Sequence, residues 1–359
     1  MNYVNLIKYG LTTYFQQEAT LYNGMFLARV SEQHRDLYKV ICENGEIQAS
    51  VSGKLAYNAS DTTNFPAVGD WVIIDRTNSS MGNAVIHHVL HRKSVFQRKA
   101  PGTSNTVQIV AANIDVIFIC MSLNDNFNLR RLERYLSIAW NSLATPVIVL
   151  TKADLCHDLN IRLDEISTVN VGTDVVVCSS VDDKGYENLL SYITSEKTIA
   201  FIGSSGVGKS TLINRLMGRD VLITKDIRHK DDKGLHTTTH RQLLLLPQGG
   251  IVIDTPGMRE LQLDSGNLSK SFEDIEELST MCKYRDCSHN TEPGCAVKNA
   301  IESGELSEER FDNYKKLQRE ISYEGMNSRQ LDQEKIKNMF GSMKEMKHTM
   351  RYVKNKKKF

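Results

Sequence analysis

Between residues 24 and 89 the apolar positions come in short, alternating runs. Gly24–Val30, Asp36–Ile41, Ile47–Val51, Gly69–Ile74 and Ala84–Val89 are rich in β-formers, and clusters such as Asn44-Gly45 and Asn78-Ser79-Ser80 divide them. Five short strands predict a small closed barrel, and a small sandwich fits the same pattern. Beyond residue 109 the rhythm changes. Ile109–Met121 carries the run Ile114-Asp115-Val116-Ile117-Phe118-Ile119-Cys120-Met121, apolar on both sides of a strand. Asn128–Asn141 spaces Leu129, Leu132, Tyr135, Leu136 and Ala139 at helical intervals. Strands at Pro146–Leu150, Val175–Cys178 and Thr198–Ile202 then alternate with helices at Gly185–Thr194 and Lys209–Met217. That alternation predicts a parallel sheet with helices on both faces. Leu243–Leu246 and Ile251–Ile253 add two strands about a Gly249-Gly250 turn, and Ser307–Ser322 reads as a long helix.

Composition narrows the setting. The chain has 359 residues, 40% hydrophobic and 24% charged, which are ordinary globular values. Its longest apolar run, Val116–Met121, is far shorter than the roughly 18 residues of a membrane span. Met1–Leu11 alternates polar and apolar positions and predicts no secretory signal, so a cytoplasmic, membrane-free protein is expected. The net charge of +1 hides an asymmetry: residues 335–359 hold nine Lys/Arg against Glu345 alone, leaving −7 for the rest. Such a segment suits a polyanionic partner, and it suits a solvated, solubilising tail equally well.

The chemistry begins after the Thr198–Ile202 strand. Gly203-Ser204-Ser205-Gly206-Val207-Gly208-Lys209-Ser210-Thr211 is G-x-x-x-x-G-K-S between a strand and a helix, as a phosphate-binding loop requires. Glycines let backbone N–H groups converge on phosphate, Lys209 reaches the β- and γ-phosphates, and the Ser210 hydroxyl suits Mg²⁺. Thr151-Lys152-Ala153-Asp154 closes an earlier strand and resembles the T/N-K-x-D signature of GTPases. There the carboxylate accepts two hydrogen bonds that guanine offers and adenine does not. Asp254-Thr255-Pro256-Gly257 resembles the D-x-x-G element, in which Asp254 serves Mg²⁺ and Gly257 the γ-phosphate. Between them Gly234-Leu235-His236-Thr237-Thr238-Thr239 offers switch hydroxyls at Thr237 and Thr238. Cys178-Ser179-Ser180 matches the backbone-mediated guanine contact, and reads equally as a polar strand end. The base motif precedes the phosphate loop, so the order is a circular permutation, which domains with neighbouring termini tolerate.

Cys282-x₄-Cys287-x-His289-x₅-Cys295 follows. Three thiolates and an imidazole form the Cys₃His set of a closed structural Zn²⁺ site. Cys42, Cys120, Cys156 and Cys178 are scattered in apolar surroundings and read as buried reduced thiols.

Barrel, permuted nucleotide motifs and zinc cluster together resemble the RsgA (YjeQ/YloQ) family of bacterial GTPases. Val68-Gly69-Asp70-Trp71-Val72 and Ala111-Ala112-Asn113-Ile114-Asp115 belong to the same resemblance. It implies an OB-fold RNA-binding barrel at 1–92, a permuted P-loop GTPase domain at 93–265 and a helical zinc-binding domain at 266–325; the basic tail at 326–359 departs from the family pattern. It further implies GTP hydrolysis to GDP and phosphate during late assembly of the small (30S) ribosomal subunit, stimulated by that subunit. Mg²⁺ and one Zn²⁺ are the implied metals, ribosomal RNA the implied contact, and a monomer the implied state. The family's switch histidine falls on His236, a candidate for positioning the nucleophile or a residue that packs the switch. Met258 follows Gly257 where many GTPases place a water-orienting Gln, so slow intrinsic turnover is expected. An RNA-binding protein with a vestigial nucleotide site, or a P-loop kinase, are the alternative readings.

Overall fold

The computed structural model describes residues 4–34, 37–59, 62–80, 82–99, 107–170, 172–181, 184–222, 242–254, 268, 271–322 and 330. Helices α1 (Val4–Ile7) and α2 (Thr13–Ala19) lead into β1 (Phe26–Gln33), β2 (Tyr38–Cys42), β3 (Gly45–Val51), α3 (Gly53–Asn58), β4 (Trp71–Ile74) and β5 (Ala84–Val89). Strands pair in the order β1-β2-β3-β5-β4, and β4 returns to β1, so the five close into a barrel. Ala28, Val30, Val40, Ala49, Val72, Ile74 and Ile86 fill it, the inward set of each alternating strand. The barrel is the outcome, not the sandwich.

The next part runs β6 (Val95–Lys99), β7 (Val107–Ala112), β8 (Val116–Ser122), α4 (Leu129–Asn141), β9 (Thr145–Thr151), α5 (Leu159–Ser167), β10 (Asp174–Val177), α6 (Tyr186–Leu190), β11 (Thr198–Ile202), α7 (Lys209–Met217), β12 (Gln242–Leu245) and β13 (Ile251–Asp254). The sheet order is β10-β9-β8-β11-β13-β12, parallel throughout except for β12. Strand β8 shows why its run is continuously apolar. Val116, Phe118 and Cys120 pack with Leu212 and Leu216 of α7, while Ile117, Ile119 and Met121 face Leu132 and Leu136 of α4.

Two sequence expectations change. The predicted strand Ile109–Met121 is two strands, broken at Asn113, whose φ of +57° turns the chain. The predicted helix Gly185–Thr194 is one short helix, α6, because the chain turns at Leu190–Ile193.

Helices α8 (Glu273–Thr280), α9 (Ala296–Ser303) and α10 (Glu308–Ser322) close the described fold. Phe272, Ile275, Val297, Phe311 and Leu317 join the same apolar core as α4. None of the described helices is long and apolar enough to cross a membrane.

Barrel and sheet meet at a buried cation. Arg29 of β1 donates to Gly69 O at 3.2 Å, to Thr198 Oγ1 at 2.9 Å and to Tyr9 O, and its guanidinium lies 5.4 Å from the Trp71 ring centroid. Burial lowers its pKa to about 10 while Asp115 and Asp70 oppose, so it stays charged at neutral pH. Thr198 opens β11, so the strand that leads to the phosphate loop is pinned to the barrel. Gly69 has φ +93°, and a Cβ there would lie 2.2 Å from Ala112 O. Gly69→Ala is therefore expected to cost about 1–3 kcal/mol of stability, read as a lowered urea midpoint at unchanged slope.

Candidate nucleotide and metal sites

In parallel neighbours the carboxyl ends share one edge, where open α/β sheets bind ligands. Thr151–Asp154 leave β9, Cys178–Ser180 leave β10, Gly203–Ser210 leave β11, and Asp254 ends β13. The four segments named from sequence thus lie along one edge of the sheet.

Hydrogen bonds tie them together. Thr151 Oγ1 donates to Val207 O at 2.5 Å, joining the base motif to the phosphate loop. Ser179 Oγ donates to Asp154 Oδ1 at 2.7 Å and accepts Val181 N at 3.1 Å. Asp154 is exposed, and the Ser179 hydroxyl fixes the direction of its carboxylate. Cys178 O accepts Ala153 N at 3.3 Å, Ser180 is exposed, and Lys152 is left-handed at φ +58°. That bend separates strand β9 from the turn that carries Asp154.

The phosphate loop owes its path to Gly203, at φ +146°, where a Cβ would lie 2.4 Å from Cys120 O of the neighbouring strand. Lys209 Nζ donates to Gly203 O at 2.6 Å and Ser204 O at 2.8 Å, curled over the loop. Ser204, Ser205, Gly208 and Ser210 are half-buried, Gly206 and Thr211 exposed, and Val207 buried as the loop's apolar anchor. Burial pushes the Asp254 carboxyl up to about 6, against the pull of Lys209. A carboxylate so placed gains from a cation, which fits the Mg²⁺ expectation. His236, Thr237, Thr238 and Gly257 lie outside the described residues, as do Met258 and the basic residues 335–359.

The second centre assembles as its spacing predicts. Cys282 Sγ lies 3.9 Å from Cys295 Sγ and 3.6 Å from His289 Nδ1, and Nδ1 lies 3.3 Å from Cys295 Sγ. Ligand atoms of Cys282, Cys287, His289 and Cys295 all lie within 4.8 Å of one another. Zinc–sulfur bonds of about 2.3 Å put tetrahedral corners about 3.8 Å apart, so this donor set fits Zn²⁺. Ser279 Oγ donates to Ile275 O at 2.7 Å and sits 3.2 Å from His289 Nε2. The imidazole is thereby assigned as Nε2–H donor with a free Nδ1 lone pair, the tautomer a metal needs. Burial lowers the His289 pKa despite Glu292 and Glu276, which favours the neutral ligand. Cys295 Sγ also accepts Lys298 N at 3.4 Å, capping α9, where the helix dipole favours thiolate.

Sequence reasoning missed Asn126 and Arg131, which reach Ser204 of the loop from outside its motif. It also missed the Ser179–Asp154 bond. The short loop after β8, Leu123–Asn128, carries no periodicity that signals the Asn126 and Arg131 contacts.

A sequence model of the RsgA GTPase family matches residues 89–264. "Small ribosomal subunit biogenesis GTPase RsgA 2" of Lactiplantibacillus plantarum is 55% identical, covering 96% of this chain and 97% of that protein. The chain belongs to the RsgA family. A second RsgA, from Listeria innocua, is 44% identical over 89% of this chain and 90% of its own. Among solved structures, RsgA-type neighbours carry the same architecture. YjeQ from Thermotoga maritima has 28% identity and a TM-score of 0.61, with 84% of this chain and 100% of that one covered. YloQ, described as a circularly permuted GTPase, has 27% identity and a TM-score of 0.57 over 84% of this chain and 96% of its own.

Proposed function

We propose that this chain is a GTP hydrolase of small ribosomal subunit biogenesis, as its RsgA relatives are named. One observation carries the site: the Thr151–Val207 bond joins the base motif directly to the phosphate loop. There Asp154, aimed by Ser179, accepts hydrogen bonds from the guanine N1–H and amino group, with the Lys152 stem along the base. Cys178–Ser180 flank the base through their backbone. Residues Gly203–Thr211 offer N–H groups at the start of α7 to the phosphates, and Lys209 leaves its two carbonyls to meet phosphate charge. Ser210 and Asp254 would hold Mg²⁺, which supplies charge neutralisation on the phosphates when bound. Thr237, Thr238 and Gly257 are assigned to the switches, and His236 to positioning the attacking water. Barrel, zinc unit and basic tail are assigned to ribosomal RNA, and a cytoplasmic setting goes with that reading.

The Asp154→Asn variant separates this reading from an adenine-nucleotide kinase. An amide presents a donor where guanine presents its own, so GTP affinity is expected to fall about 10–100-fold while xanthine nucleotide is accepted. Equal GTP affinity in a calorimetric titration removes Asp154 from the site. Cosedimentation with small subunits in a non-hydrolysable GTP analogue, and release in GDP, tests the partner.

A further inference from the structure

The first serine of the phosphate loop is gripped by residues that belong to none of the nucleotide motifs. Asn126 Nδ2 donates to Ser204 Oγ at 3.1 Å, and Arg131 Nη1 donates to the same oxygen at 3.0 Å. Arg131 Nη1 also donates to Asn126 Oδ1 at 2.9 Å, so the three side chains close a ring. On the backbone side, Ser204 O accepts Lys209 Nζ at 2.8 Å. The residue is held at its carbonyl by the motif lysine and at its hydroxyl by Asn126 of the loop before α4 and Arg131 of the helix's first turn.

Chemistry then limits what the hydroxyl can do. A serine oxygen accepts two hydrogen bonds and donates one. Both acceptor positions are filled, so its remaining role is that of donor. Among the described residues no carboxylate pairs with Arg131, so a cation sits behind that hydroxyl with its charge available to an anion. The grip is also fixed from behind. Asn128 Oδ1 caps Arg131 N at 2.9 Å, and two residues further along Glu133 is fully buried, held by Arg310 at 2.6 Å and Asn313 at 2.5 Å. Helix α4 therefore presents Arg131 from a rigid base, the arrangement a precise site needs.

We propose that Arg131 is a positioning residue for GTP hydrolysis, which with Asn126 fixes the Ser204 turn of the loop and orients its hydroxyl as a donor to a nucleotide phosphate oxygen. The proposal rests on the reading of Gly203–Ser210 as the nucleotide loop. It acts through Ser204, so its signature is coupling between the two side chains.

The test uses the full-length, zinc-loaded chain and its Arg131→Ala, Ser204→Ala, doubly substituted and Lys209→Ala variants. The kcat and KM for GTP, the affinity for a fluorescent GDP analogue and the melting temperature are measured for each. Arg131→Ala and Ser204→Ala are each expected to lower kcat about tenfold, with KM and melting temperature nearly unchanged. The double variant is expected to be no slower than either single one, because both remove the same interaction. Wild-type turnover in Arg131→Ala overturns the proposal, and so do losses that multiply in the double variant. A lowered melting temperature in Arg131→Ala beside normal turnover in Ser204→Ala also overturns it, assigning Arg131 to the helix alone. The Lys209→Ala control addresses the reading underneath: if it binds and hydrolyses GTP like the parent, the nucleotide site itself is misassigned.

Discussion

Stripping the metal from Cys282, Cys287, His289 and Cys295 is expected to unfold residues 282–295 and free α9, while the sheet from β8 to β11 stays folded. The segment between the ligands is short and largely exposed, with Tyr284 open to solvent, so apolar burial contributes little to its shape. Structural zinc supplies about 10–16 kcal/mol of apparent folding free energy in small finger peptides near neutral pH. Here Leu306 and Phe311, beyond α9, anchor the chain in the main core, so metal loss removes the local fold and leaves those contacts as a tether. Cys287→Ser is expected to act in the same direction, since it removes one thiolate and leaves three ligands. Amide exchange read by mass spectrometry checks it: protection of 282–303 falls after chelation, and that of β8–β11 does not. A purified, unchelated chain with no zinc, yet full protection at 282–303, would refute the site.

How much of this was legible in the sequence depended on whether a residue's role was local. The phosphate loop and the Thr151–Asp154 turn are contiguous segments at strand ends, so spacing alone located them. The zinc ligands span fourteen positions and needed no long-range information. The joints between units are another matter. Arg29 lies on the outer face of β1, beside Ala28 and Val30, and strand alternation assigns that face to water. The GTPase sheet covers it instead, and nothing within residues 26–33 announces the cover. Glu133 did leave a signal. It sits on the apolar stripe of α4, three residues before Leu136 and four after Leu129, where a charge requires a buried partner. The partner is Arg310, 177 positions later, and no single-chain pattern identifies it. Strand β6 is not legible because Gln97, Arg98 and Lys99 follow only two apolar residues, Val95 and Phe96, while its partner β7 is read from Ile109 as the start of a longer strand.

The same pair supports the second large expectation. The Glu133 side chain has no exposure and that of Arg310 has 5%, and they meet at 2.6 Å between α4 and α10. Arg310 also bridges to Asp274 at 2.7 Å and donates to Ser271 O at 2.8 Å, with Phe272 beneath its guanidinium. Taking two charges from water costs several kcal/mol each, so the pair need not outperform apolar residues of equal volume. Its loss on one side only is the expensive event. Arg310→Met leaves the buried Glu133 side chain with Arg130 and Asn313 as its partners, and a cost of about 3–5 kcal/mol is expected. Adding Glu133→Leu removes the stranded side chain as well. Arg130 and Asp274 reach solvent, at 31% and 42% exposure, so neither is trapped when the pair goes. The double variant is therefore expected to recover much of what Arg310→Met loses. Urea midpoints of the single and double variants decide it. Strict additivity of the two single losses would show that the carboxylate and guanidinium stabilise the α4–α10 contact independently, and that their pairing carries nothing.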